Sequence, residues 1–130
     1  GKKPETFDFL GFTFYCGKGR KSGNFCVKLK TSRKKYAQKL KGMKEWLYAN
    51  NDLPVKELIE KLNKKLVGHY RYYGVSYNGK KLGSFLHFTQ RYLCKALNRR
   101  SQKKSYTWDG FADMLKVYPL AKPKIYVRLF

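Results

Sequence analysis

The chain has 130 residues, enough for one domain, or one domain with an appended hairpin. Apolar residues make up 42% and aromatics 17%, with eleven Tyr and nine Phe, which supplies a core and excludes a disordered basic tail. Thirty Lys and Arg against eight Asp and Glu give a net charge of +22, a balance that calls for a polyanionic partner, nucleic acid ahead of an anionic membrane.

Residues 7–30 read as an N-terminal β-hairpin. Its first strand is predicted from Phe7 to Cys16 through the run FLGFTFY, and its second from Asn24 to Lys30, where Phe25, Val27 and Leu29 alternate with Cys26, Lys28 and Lys30. The connection GKGRKSG is basic and rich in glycine. Thr31 and Ser32 then offer an N-cap to a first helix, on which Tyr36, Leu40, Met43 and Leu47 recur at helical spacing until Asn50-Asn51-Asp52. Pro54 suits the first turn of a second helix, where its missing N–H is harmless. The apolar stripe there is Val55, Leu58, Ile59, Leu62, Leu66, Tyr70 and Tyr73. GVSYNG, residues 74–79, breaks the chain. A third helix is predicted from about Lys81 to Gln102, with Leu82, Phe85, Leu86, Thr89, Leu93, Ala96 and Leu97 facing inward. A short fourth helix starts at Thr107 and is expected to bury Trp108, Phe111 and Leu115, after which Pro119 and Pro123 keep the tail extended. The fold expected is mainly α: a small bundle of three main helices and a short fourth, with the hairpin at its N-terminal end.

The positive charge is unevenly compensated. On the second helix Glu57 and Glu60 stand four residues before Lys61 and Lys64, the spacing of helical ion pairs. On the first, Arg33, Lys34, Lys35, Lys39, Lys41 and Lys44 have a single acidic companion, Glu45. On the third, Arg91, Lys95 and Arg99 follow one another at four-residue steps without an acid, and Arg100, Lys103 and Lys104 continue the line. Like charges at that spacing weaken a helix. Phosphate binding explains such unmixed charge better than a merely solvated face does.

The segment GHYRYYG, residues 68–74, interleaves aromatics with a cation. Tyr70 and Tyr73 belong to the apolar stripe, whereas Arg71 and Tyr72 are candidates for contact with RNA, since an aromatic face accepts any base. His69 and His87 lie near no carboxylate or cysteine pattern and read as structural histidines with satisfied hydrogen bonds. The eight acids are scattered, and no phosphate-cradling glycine loop, HExxH or nucleophile elbow is present. Three cysteines, odd in number and without metal-ligand spacing, fit a reducing, cytoplasmic compartment. No apolar run is long enough to span a membrane, and no signal peptide or lipidation motif occurs.

FLGF beside a hairpin, then the basic helix, then LVGHYRYYG (66–74), then LNRRSQKKSYTW (97–108), resemble the C-terminal part of bacterial group II intron-encoded reverse transcriptases: the thumb, also called domain X or the maturase-specific domain. The resemblance covers essentially the whole chain, and departs from the family pattern at His69 and Ala96, where tryptophan is common. It implies that residues 1–30 are the end of the reverse transcriptase palm and residues 31–130 the thumb. Phe9, Leu10, Gly11 and Phe12 would then belong to a primer grip. The catalytic aspartates and their Mg²⁺ would sit in fingers and palm that precede residue 1, so the chain alone would be no enzyme and hold no cofactor. The implied partners are structured group II intron RNA, template–primer duplex and the missing fingers and palm, with no membrane. Phosphate contacts are expected from Lys28, Lys30, Arg33, Lys34, Lys35, Lys39, Arg71, Arg91, Lys95, Arg99, Arg100, Lys103 and Lys104. Two other readings remain open at this point: the thumb of a reverse transcriptase used outside introns, in defence or diversification, and an independent basic RNA-binding protein.

Overall fold

The computed structural model of the chain describes residues 6–18, 25–100 and 106–128. Three strands, β1 (Phe7–Phe9), β2 (Phe12–Lys18) and β3 (Phe25–Thr31), precede four helices: α1 (Arg33–Ala49), α2 (Val55–Tyr73), α3 (Gly79–Arg100) and α4 (Trp108–Val117). The mainly α class and the four helices agree with the sequence pattern.

The N-terminal sheet differs from the expected single hairpin. FLGF is not the middle of a strand but a turn between two. Leu10 and Gly11 both have positive φ, 52° and 85°, and Phe9 pairs with Phe12. Positive φ at both central residues of a two-residue loop has the twist that flanking strands require. The sheet is therefore an antiparallel meander in the order β1-β2-β3, with Phe12 opposite Thr31 and Lys18 opposite Phe25. Its inner face contributes Phe12 and Leu29 to the core, while Phe7, Phe9, Leu10 and Val27 stay exposed.

α1 starts where Ser32, the N-cap, accepts a hydrogen bond from the Lys35 N–H. Asn50 caps its other end through the Trp46 carbonyl. The stripe read from α2 is its buried face, with Leu58, Ile59, Leu62, Leu66, Tyr70 and Tyr73 in the core and Val55 half-buried. The inward set of α3 is likewise buried, apart from a half-buried Leu86. Full burial of a Leu or Phe side chain contributes about 1.5–3 kcal/mol, so these two faces supply most of the driving force.

α4 begins as expected, with the Thr107 hydroxyl accepting from Gly110 N–H at 3.0 Å. Its buried residues, however, are Phe111 and Met114. Trp108 is 63% exposed. It occupies the first turn, outside the Phe111–Met114 line, and its ring meets only the Phe111 ring among described aromatics.

The extended tail is fixed to α2 by an asparagine. Asn63 accepts from the Ala121 N–H at 2.7 Å and donates to the Pro119 carbonyl at 3.0 Å, while the Tyr70 hydroxyl donates to the Ala121 carbonyl. Farther on, the N–H groups of Tyr126 and Val127 both reach the Gly74 carbonyl. Gly74 has to be glycine: a Cβ there would lie 2.2 Å from the Tyr70 carbonyl oxygen and 2.4 Å from that of Lys124.

Candidate nucleic-acid interface

The FLGF turn, the start of α1 and the end of α2 converge. The Ser32 N–H bonds the Gly11 carbonyl at 2.8 Å, and the Tyr72 hydroxyl bonds the Leu10 carbonyl. Phe12 stacks on Tyr72 at 5.8 Å and tilts against Tyr73 at 5.3 Å. Behind them lies Asn78, fully buried. Its Oδ1 accepts from Thr31 N–H, and its Nδ2 donates to the Thr31 hydroxyl and the Tyr73 carbonyl, each at 2.8 Å. A single amide thus joins the end of β3, the end of α2 and the start of α3.

Beside the turn, α1 and α2 enclose a cleft of ≈ 860 Å³. Lys35 and Lys39 stand on its α1 side, Lys65 on its α2 side, and Trp46 and Tyr72 contribute rings. No Asp or Glu among the described residues lines it. His69 forms part of the wall, 8% exposed, with its ring stacked on Phe85 at 3.8 Å. Burial, and then the charge of Lys39, lower its pKa from 6.5 to about 4, so the imidazole is neutral at physiological pH. The expectation of a satisfied histidine fails in one respect, because Nε2 has no hydrogen-bond partner among the described residues. His87 is exposed rather than structural.

The second basic face joins α1 to α3. Lys44 Nζ lies 5.7 Å from the Tyr48 ring on its own helix and 5.7 Å from the Tyr92 ring on α3. The guanidinium of Arg99 covers Tyr48 at 4.8 Å. Cations over aromatic faces keep their charge in water while their position is fixed. The two lines of uncompensated charge thus meet across Tyr48, with Arg91, Lys95 and Arg99 all exposed. The α1 cations divide between the two faces: Lys35 and Lys39 at the cleft, Lys44 against α3. Arg33 and Lys34 are exposed in the first turn of α1, which holds no acid. Positive side chains there oppose the helix dipole, and a bound anion would relieve the conflict.

The remaining expected contacts are dispersed. Lys28 lies over Tyr77 at 4.8 Å and Lys30 over Tyr15 at 5.2 Å, on the sheet. Arg71 lies over Tyr126 at 5.7 Å, toward the tail. Arg100 turns back on the fold and donates to the Asn51 and Leu53 carbonyls between α1 and α2. Lys103 and Lys104 lie outside the described residues. Of the primer-grip set, Phe9 and Leu10 are exposed and Phe12 is buried. The ion pairs among the described residues are Lys41–Glu45, Glu57–Lys61 and Lys116–Asp113. The expected Glu60–Lys64 pair is not formed there.

Sequence reasoning did not single out Asn78, Trp46, Tyr48, Lys65 or Tyr92. An Asn-Gly ahead of a helix reads first as a turn, and a tyrosine at a helix flank reads as partial core. Only the packing shows that Asn78 joins three elements, that Trp46 and Lys65 line a cleft, and that Tyr48 bridges two lines of charge.

No helix among the described residues is long and apolar enough to cross a membrane. No curated protein matches the chain, and no solved structure does. Residues 30–112 match the family model described as "Group II intron, maturase-specific domain". That span runs from the last residues of β3 into α4 and contains both basic faces. The chain therefore belongs to the group II intron maturase-specific domain family.

Proposed function

We propose that this chain is the RNA-binding thumb of a group II intron reverse transcriptase, holding intron RNA during splicing and template–primer duplex during reverse transcription. The observation that carries the reading is the meeting across Tyr48 of the α1 cations, which have the single acid Glu45 among them, with the acid-free row of α3. Rows of phosphate are the polyanion such a surface fits, because each neutralised phosphate releases a counterion. In this reading the N-terminal sheet joins the domain to the palm of the parent enzyme. The metal ions for nucleotidyl transfer would be held there, since the acids of this chain are dispersed and partly committed to lysines.

The test is a filter-binding titration with structured RNA across salt concentrations. With about six phosphates neutralised, log affinity against log salt has a slope of roughly −4 to −5. A flat response removes the polyanion reading. The same protein is expected to incorporate no deoxynucleotide on a primed template with Mg²⁺ or Mn²⁺, and incorporation by this chain alone would refute its assignment as a grip without catalysis.

A further inference from the structure

We propose that the cleft between α1 and α2 takes one unstacked nucleotide of the bound RNA, with its base against the Trp46 and Tyr72 rings and its phosphate among Lys35, Lys39 and Lys65. The inference rests on the RNA-binding reading and goes beyond it, because the α1–α3 face needs only a phosphate backbone.

The chemistry of the cleft is mixed in a way that a backbone alone does not use. Among the described residues its cations come from both walls with no acid between them, which selects an anion, and Lys65 lies over the Trp46 ring at 5.0 Å, where a base would displace it. Its volume, ≈ 860 Å³, lies within the range of about 300–1,000 Å³ found for small-molecule sites. Tyr72 is 52% exposed, although it stacks on Phe12 and bonds the Leu10 carbonyl, so the fold fixes its ring and leaves it open. Such a fixed ring is what an unpaired base stacks on. A neutral group suited to a base edge, the Gln38 amide, also lies in the lining. Bases inside a duplex have their faces covered and cannot use these rings. A splayed nucleotide can.

The walls are also kept low. Gly42 on α1 and Gly68 on α2 both line the cleft, and a Cβ at either would meet nothing within 4 Å. Neither glycine serves close helix packing, and each costs its helix about 1 kcal/mol relative to Ala. Open space for a flat ligand accounts for both.

The experiment compares two RNA hairpins, one fully paired and one carrying a single unpaired 2-aminopurine, at equal salt. The protein is the full chain with Trp108→Phe, which leaves Trp46 as the reporting indole of the two. The bulged hairpin is expected to quench Trp46 emission and to bind about 5- to 150-fold more tightly, the range of single base–aromatic stacks. Gly42→Leu puts an aliphatic side chain into the cleft from a position where an added Cβ meets nothing within 4 Å, and is expected to abolish that preference while the paired hairpin binds as before. Equal binding of the two hairpins, or a preference that survives Gly42→Leu, overturns the proposal while the RNA-binding reading stands. Quenching by an acidic peptide but not by the bulge overturns it in favour of a protein partner. Failure to bind either hairpin removes the RNA-binding reading itself.

Discussion

The hydroxyl of Tyr72 donates to the carbonyl oxygen of Leu10 at 2.7 Å, across 62 positions of sequence. One end of α2 thereby holds the turn that joins β1 to β2, and the neighbouring Gly11 carbonyl is held by the first N–H ahead of α1. The FLGF turn is thus positioned by the two helices that form the cleft, rather than by its own strands alone.

Gly11 is sensitive for a local reason. Its φ of +85° is one that L residues rarely adopt, and an added Cβ would lie 3.0 Å from the Tyr73 hydroxyl. Gly11→Val is expected to destabilise the fold by about 1–3 kcal/mol, the scale of a residue held in such a region. Gly11→Asn should cost less, because Asn tolerates the left-handed region. Thermal melts of both variants check this. A Gly11→Val protein that melts like wild type would show that the turn does not demand glycine, and would return Gly11 to a role at a primer end.

Asn78 is expected to be among the least replaceable polar residues. Asn78→Ala leaves the Thr31 N–H unpaired in the interior, at roughly 1–3 kcal/mol for a buried group, and leaves the Tyr73 carbonyl with the Val75 N–H as its remaining donor. Asn78→Asp is also harmful, since it exchanges two donors for an acceptor facing the Tyr73 carbonyl. Urea unfolding should show a lower midpoint for both variants at an unchanged slope. A change below about 0.5 kcal/mol, the scale of ordinary surface substitutions, would contradict the node.

What the sequence discloses here is mostly periodic. The stripe from Leu58 to Tyr73 on α2 and that from Leu82 to Leu97 on α3 are buried as their spacing requires, because burying one helical face forces a period that can be read directly. Single residues are harder. The run FLGFTFY is continuous in apolarity, so the reversal at Leu10-Gly11 is marked by one glycine only. Trp108 fits the period of α4 but stands at its first turn, where hydrophobicity does not ensure cover. The candidate site was visible as charge and invisible as shape. The row Arg91-Lys95-Arg99 is plain from spacing, whereas its meeting with Lys44 at Tyr48 depends on how α1 crosses α3.

His69 makes stability depend on pH. Its pKa is depressed in the fold, to about 4 from 6.5, so between those values the unfolded chain binds the proton that the folded chain refuses. Stability contributed by the neutral ring is complete above about pH 6.5 and is lost as pH falls toward 4. The full loss is on the order of 3 kcal/mol. His69→Phe, which keeps a ring against Phe85, is expected to show a smaller fall in melting temperature between pH 7 and pH 4.5 than wild type. Parallel pH dependence in the two proteins would mean that the histidine does not carry it.

The final prediction separates cations that bind from cations that hold the fold. Lys95 and Arg99 are exposed, belong to a row of like charges, and have no acidic partner among the described residues. Replacing both by Ala should flatten the salt slope by roughly 1.4 to 1.8, about 0.7 to 0.9 for each lost phosphate contact. Thermal stability should change little, because relief of i,i+4 repulsion offsets loss of the Arg99 contact with Tyr48, each below about 1 kcal/mol. Lys61 already faces Glu57 at 3.3 Å, so Lys61→Ala should leave the slope nearly unchanged. Arg100 gives the opposite pattern. Its guanidinium closes the connection between α1 and α2 through the Asn51 and Leu53 carbonyls, so Arg100→Ala should lower the melting temperature and affect the slope less than Lys95→Ala. Filter binding at four salt concentrations and a melt of each variant distinguish these outcomes. If Lys61→Ala and Lys95→Ala flatten the slope equally, the α1–α3 surface is not the binding face and charge alone governs the interaction.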